Sequence, residues 1–201
     1  MNEFLFIIEL IGIVAFSVSG AIVAFEEEMD IFGVVILGMI TSIGGGLIRD
    51  LILGITPPTC FIKPVYALLA IVVALICFIK PVRKRLRNNS TILIITDSLG
   101  LGVFVVVGAT AATNLYPNNP FLILFISVLT GCGGSILRDI FANRKPAIFV
   151  KYFYATAALL GAIMFVVCYR LFNVNVATIS GSIFTCVLRL LAAKYHWKLP
   201  K

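Results

Sequence analysis

The sequence predicts an all-α integral membrane protein of seven transmembrane helices, arranged as two inverted three-helix repeats followed by a seventh helix. Three observations predict it: the share of apolar residues, the length of the charge-free runs, and an internal duplication. Hydrophobic residues fill 61% of the 201 positions and charged residues 12%, with a mean hydropathy of +1.10. Soluble domains average about 45–50% apolar and about 25% charged. A hydrocarbon core of about 30 Å takes about 20 apolar helical residues, and runs of that order follow one another along the chain. They lack the alternation of transmembrane β-strands.

The first span is read over residues 4–25. Its opening, Met1-Asn2-Glu3, is acidic and the run is long enough to cross, so it reads as a mature helix and not as a signal peptide. The next spans fall at 31–53, 63–79 and 91–115. No charge occurs between Ser98 and Leu137, but Tyr116-Pro117-Asn118-Asn119-Pro120 divides that stretch, because proline neither donates to nor continues a helix. The remaining spans are then 121–137, 152–169 and 171–190. This gives a first repeat over 1–87, a second over 88–170, and a last helix with a basic tail over 171–201.

Basic residues gather in alternate loops. Lys80, Arg83, Lys84, Arg85 and Arg87 lie in the third loop, Arg144, Lys145 and Lys151 in the fifth, and Lys194, Lys198 and Lys201 in the tail. With seven spans these share one side, which the positive-inside rule makes the cytoplasm of a bacterial or archaeal cell, with the N-terminus outside. The net charge of +7 is therefore a topology signal, and the run from Lys80 to Arg87 is a candidate contact for anionic lipid heads rather than for nucleic acid. Cys60, Cys77, Cys132, Cys168 and Cys186 show no metal-ligand spacing, and His196 stands beside Trp197 as an interfacial residue. No metal, cofactor or catalytic residue is expected, and no enzyme.

The duplication is the most informative feature. Glu9, Gly12, Phe16, Gly20 and Ala21 recur as Asp97, Gly100, Phe104, Gly108 and Ala109 at a spacing of 88. Thr41–Asp50, TSIGGGLIRD, recurs as Thr130–Asp139, TGCGGSILRD, at 89. Pro58, Phe61, Lys63, Tyr66 and Ala67 recur as Pro146, Phe149, Lys151, Tyr154 and Ala155 at 88. Three helices per repeat turn the second copy over, the plan of many transport proteins, whose pathways run where the repeats meet.

At that meeting point lie Gly44, Gly45 and Gly46 in the second span and Gly131, Gly133 and Gly134 in the fifth. Glycine weakens a helix by about 1 kcal/mol per position relative to alanine. The clusters either break both helices, exposing carbonyls to a cation beside the hydroxyls of Thr41, Ser42, Thr130 and Ser135, or let the helices pack closely. Their duplication, each copy followed by Arg-Asp, points to a break. Arg49-Asp50 and Arg138-Asp139 are costly in a bilayer unless paired or wetted, so they are candidate pathway residues; an arginine facing a cation path must be offset by its aspartate or turn aside. Glu9, Ser17 and Asp97 are candidates for a pore mouth. Glu26-Glu27-Glu28 and Asp30 form an acidic first loop that could concentrate cations.

The glycine clusters followed by Arg-Asp, duplicated over nearly the whole chain, resemble the prokaryotic branch of the trimeric intracellular cation channels, whose repeated domain is also called the glycine-transporter domain. The resemblance implies a homotrimer with one pore per subunit, bounded by glycine-kinked second and fifth helices with the first and fourth, and passive conduction of potassium and sodium. The Lys-Glu-Val motif of animal members is absent, so their phosphoinositide and calcium regulation is not expected. A carrier of glycine or another small zwitterion is the second reading, since opposed half-helix ends suit a carboxylate and an ammonium. Ala177 and Gly181, at a small-x-x-x-small spacing, are the local support for assembly.

Overall fold

The computed structural model describes residues 3–150 and 153–197. Lys151, Lys198, Lys201, the start of the sixth expected span and the Met1-Asn2 opening lie outside the described residues. The helices are α1 (Glu3–Glu26), α2 (Ile31–Leu53), α3 (Thr59–Ile62), α4 (Val65–Phe78), α5 (Lys80–Arg87), α6 (Ser90–Leu115), α7 (Pro120–Phe141), α8 (Ala147–Val150), α9 (Tyr154–Leu171) and α10 (Val174–Lys194). No strand occurs among the described residues.

Six of these helices, α1, α2, α6, α7, α9 and α10, are long and apolar enough to cross a membrane. The third expected span differs. Its helix α4 has 14 residues, about 21 Å at 1.5 Å per residue, and it meets α5 at a bend of 86°. A seventh crossing is counted only if the bent pair is one span. The bend sits at Ile79, where Pro81 starts a new helix in its first turn, the position where a missing N–H costs least.

Short polar caps set the tight connections. Asp30 accepts from Gly33 N at 2.8 Å, Asn119 from Leu122 N at 3.0 Å and Asn173 from Val176 N at 3.0 Å, each satisfying an amide left unpaired at a helix start. α2 ends at Gly54 in the left-handed region (φ 71°) and α7 ends just before Asn143 in the same region (φ 54°). These matched stops reverse the chain onto α3 and α8, which lie 88 residues apart and which apolar periodicity does not reveal.

α2 packs on α7, and α1 on α6, through the middle of the bundle; α4 leans on α1 and α2, and α9 on α7 and α10. Phe16 and Phe104, repeat counterparts, stack with ring centroids 5.2 Å apart. Arg144, just beyond α7, pairs with Glu26 at 2.6 Å and Glu27 at 2.5 Å, just before α2. The end of α7 therefore lies beside the start of α2, and the two helices run antiparallel.

The glycine clusters do not break these helices: α2 and α7 are continuous α-helix through Gly44, Gly45, Gly46, Gly131, Gly133 and Gly134. An unpaired backbone group in hydrocarbon costs several kcal/mol, more than the glycine penalty, so the hydrogen-bonded ladder survives. The glycines serve close approach instead. A Cβ on Gly45 would strike the Thr130 carbonyl oxygen, and one on Gly134 the Thr41 carbonyl oxygen. Gly133 stands 3.1 Å from the Gly45 Cα, measured from its own ideal Cβ position. Ala177 and Gly181 are likewise internal: Ala177 is fully buried, and Gly181 faces Val106 and Phe165. They are not the assembly surface that their spacing suggested.

Candidate functional site

Each repeat builds an ionic half-site from the same positions. In the first, Arg49 Nε donates to Asp50 Oδ1 at 2.8 Å, and Arg49 Nη2 approaches the same oxygen at 2.7 Å. Asp50 Oδ2 accepts from the amide of Thr59 at 2.7 Å, the first residue of α3. In the second, Arg138 Nε donates to Asp139 Oδ1 at 2.9 Å, and Asp139 Oδ2 accepts from the amide of Ala147 at 2.8 Å, the first residue of α8. Both aspartates thus join a helix end to the loop helix that follows. Because α2 and α7 are antiparallel, the two half-sites stand at opposite ends of the pair.

The equivalent carboxylates Glu9 and Asp97 are held differently. Glu9, on α1, accepts from the Tyr66 hydroxyl on α4. Asp97, on α6, accepts from Arg138 Nη1 at 2.6 Å, and the same nitrogen donates to Ser19 Oγ on α1 at 2.6 Å. Arg138 therefore ties α7 to α6 and α1, while Arg49 stays on its own helix. Tyr154, the counterpart of Tyr66, is fully buried and its hydroxyl has no hydrogen-bond partner among the described residues. A cavity of about 30 Å³ lies in the first half-site, lined by Glu9, Ser42, Gly46, Arg49, Asp50 and Tyr66 among others, room for a water or two.

Most of the other candidates are committed to packing. Thr41 donates to Leu37 O at 2.6 Å and Thr130 to Ile126 O at 2.6 Å, each within its own helix and fully buried. Ser135 donates to Cys132 O at 2.9 Å. Ser42 bridges to Ile13 O on α1 at 3.1 Å while also donating to Gly38 O at 2.8 Å. Ser17 pins α1 to α4 through Ala70 O at 2.7 Å and is absent from the cavity wall. Gly44 faces Leu137 and Gly131 faces Val105.

At the basic end, the acidic loop meets basic side chains. Arg144 takes Glu26 and Glu27, and Arg87 approaches Glu28 at 3.5 Å. Burial would lower the Arg144 pKa, but hydrogen bonds and charge from Glu26 and Glu27 hold it above the ordinary arginine value. Arg83 lies over the rings of Phe25 and Phe78 at 5.1 and 5.0 Å; Lys80, Lys84 and Arg85 are exposed.

Sequence reasoning missed Tyr66, Tyr154, Ser19, Thr59 and Arg189. The tyrosines stood in plain view as a repeat match, but nothing local marked them as partners of Glu9 and Asp97. Ser19 has Val107 as its counterpart, so the duplication could not find it. Arg189 on α10 is buried, with Nε and Nη1 unpartnered among the described residues and its guanidinium 5.0 Å from the Tyr154 ring.

The fold and these half-sites define a multi-pass helical membrane protein with buried, duplicated ion pairs. A family profile described as glycine transporter matches residues 6–81 and 94–170. The chain is 36% identical over 200 residues to a UPF0126 membrane protein of Vibrio cholerae, covering 99% of this chain and 83% of that one. It resembles a solved prokaryotic TRIC channel (TM-score 0.91, 35% identity, 99% of this chain and 100% of that one). It also resembles the trimeric intracellular cation channel orthologue from Rhodobacter sphaeroides (TM-score 0.85, 34% identity, 96% and 98%). The chain belongs to this family, the prokaryotic TRIC branch of the glycine-transporter repeat proteins.

Proposed function

We propose that the protein is a homotrimeric channel for monovalent cations, potassium with sodium, each subunit carrying its own pathway among α1, α2, α6 and α7 through two inverted repeats. One observation carries this reading. Within the spans each half-site holds two carboxylates against one guanidinium: Glu9 and Asp50 with Arg49, Asp97 and Asp139 with Arg138. Each arginine is bound by a carboxylate, and buried carboxylates at both ends of the α2–α7 pair are the kind of side chain that admits cations and excludes anions. The solved relatives described as cation channels support the same reading.

The basic third loop and tail face the cytoplasm, the N-terminus lies outside, and Lys80, Lys84 and Arg85 meet anionic lipid heads. Permeant ions are the only small ligands, and nucleic acid is no partner. Purified protein in a planar bilayer under a tenfold potassium chloride gradient tests the proposal: unitary currents should reverse near the potassium potential, about 59 mV for a monovalent ion. Glycine counterflow in vesicles with no unitary current would establish the carrier instead.

A further inference from the structure

The end of the bundle away from the basic loops holds a cavity remote from both half-sites. It has a volume of about 320 Å³ and lies where α6 ends, α7 begins and α9 ends, walled by Thr113, Asn118, Ile123, Val166, Tyr169 and Arg170 among others. The duplication accounts for the space. At a spacing of 88, Thr113 and Val166 correspond to Phe25 and Phe78. In the first repeat those two rings pack with centroids 6.3 Å apart, and Arg83 lies over both. In the second repeat a threonine and a valine stand in their places, and the space stays open.

The polar groups of this wall are unspent. Thr113 is 3% exposed, and its hydroxyl has no hydrogen-bond partner among the described residues. The other buried threonines, Thr41, Thr110, Thr130, Thr178 and Thr185, each donate to the carbonyl four residues earlier. Arg170 makes no ion pair among the described residues. Tyr169 is steadied by its ring, which stacks on Phe165 with centroids 6.1 Å apart. A guanidinium, two hydroxyls and an amide thus share one wall, and among the described residues no carboxylate joins them. Donors of that kind around a fixed positive charge suit an oxyanion. Phe121, Leu171 and Phe172, beside the cavity in the chain, are exposed, as side chains at a membrane boundary are, where an arginine reaches the level of the lipid heads.

We propose that this cavity is a binding site for a phosphate group, with Arg170 pairing the charge and Thr113, Asn118 and Tyr169 donating to its oxygens. A phospholipid headgroup or the free ion can supply that chemistry, and the boundary setting favours the headgroup. When occupied, the site joins α9 to the α6–α7 turn and gives the Thr113 hydroxyl the acceptor it lacks. The inference does not rest on the channel reading, since a carrier with this fold would hold the same site.

Calorimetric titration of the purified full-length chain in mild detergent tests it, with dihexanoyl phosphatidylglycerol, dihexanoylglycerol and inorganic phosphate as probes. Phosphatidylglycerol should bind, and dihexanoylglycerol, which lacks the phosphate, should not. Inorganic phosphate binding as tightly as the lipid would assign the site to the free ion, and binding of the lipid alone to the headgroup. Arg170→Gln should weaken the phosphate-bearing probe about tenfold or more, and Thr113→Val about three- to tenfold. Thr113→Phe, which installs the residue of the first repeat, should abolish this binding. Lys80, Lys84 and Arg85 are unchanged in every variant, so any lipid they hold is a common background. Without a probe, Thr113→Val should melt no lower than the parent, because its hydroxyl has no bond to lose. Binding by neither phosphate-bearing probe overturns the proposal, as do affinities for both Arg170→Gln and Thr113→Phe within about twofold of the parent. Should Thr113→Phe fail to fold, Arg170→Gln, at an exposed position, decides it.

Discussion

Asp50 and Asp139 each use both carboxylate oxygens, one for the preceding arginine and one for the first amide of a loop helix. Their first task is therefore to anchor the loop that follows α2 or α7, whereas Glu9 is held by the Tyr66 hydroxyl and Asp97 by Arg138 from a neighbouring helix. Removing one partner of a buried ion pair leaves the other uncompensated, a loss of about 3–5 kcal/mol. Asp139→Asn should accordingly lower the thermal midpoint in detergent strongly, while Glu9→Gln, which still accepts from Tyr66, should leave it within a few degrees. Equal midpoints for the two would refute this division of labour. The Arg-Asp pairs were legible because the duplication marks them twice. Their partners were not: Thr59 and Ala147 act through backbone amides, which no residue type announces, and Ser19 belongs to one repeat only.

At the scale of elements, the six long helices follow from charge-free length, and their ends from Asp30, Asn119 and Asn173 as caps. The sequence extended the fifth span only to Leu137, because Arg138 and Asp139 looked like an end; buried pairing keeps both inside α7, which runs to Phe141. The glycines were legible as special but not as packing residues, since a break and a close approach call for the same residue. The structure separates them by what a side chain would meet. Gly45→Ala and Gly134→Ala place a Cβ against a carbonyl of the facing helix and should destabilise by about 1–3 kcal/mol. Gly46→Ala, whose nearest neighbour is Arg49 Nη2 at 3.8 Å, should be neutral or slightly stabilising. Thermal midpoints that fall alike for all three would mean that helix flexibility, not contact, sets the need for glycine. α4 escaped the sequence reading because apolar composition continues through Ile79 while Pro81 redirects the helix.

For the whole molecule, the ion pairs of Arg144 with Glu26 and Glu27 and of Arg87 with Glu28 gather the first, third and fifth loops at one end. Reporter fusions at Asn88 and after Asn118 should therefore lie on opposite sides of the membrane, cytoplasm and exterior respectively. The same side for both would contradict seven crossings. Light scattering in mild detergent should give the protein mass of three chains; a monomer would contradict the assembly.

In the proposed channel, Glu9 and Asp97 give the pathway its cation preference. The most direct test is the reversal potential of single channels in a tenfold potassium chloride gradient, compared between the parent and a Glu9→Gln, Asp97→Asn double variant. The parent should reverse near the potassium potential, about 59 mV from zero, and the double variant should move clearly toward zero, because two buried negative charges have been removed from opposite ends of one path. A double variant that conducts and reverses where the parent does would place the selecting charges elsewhere and contradict the account.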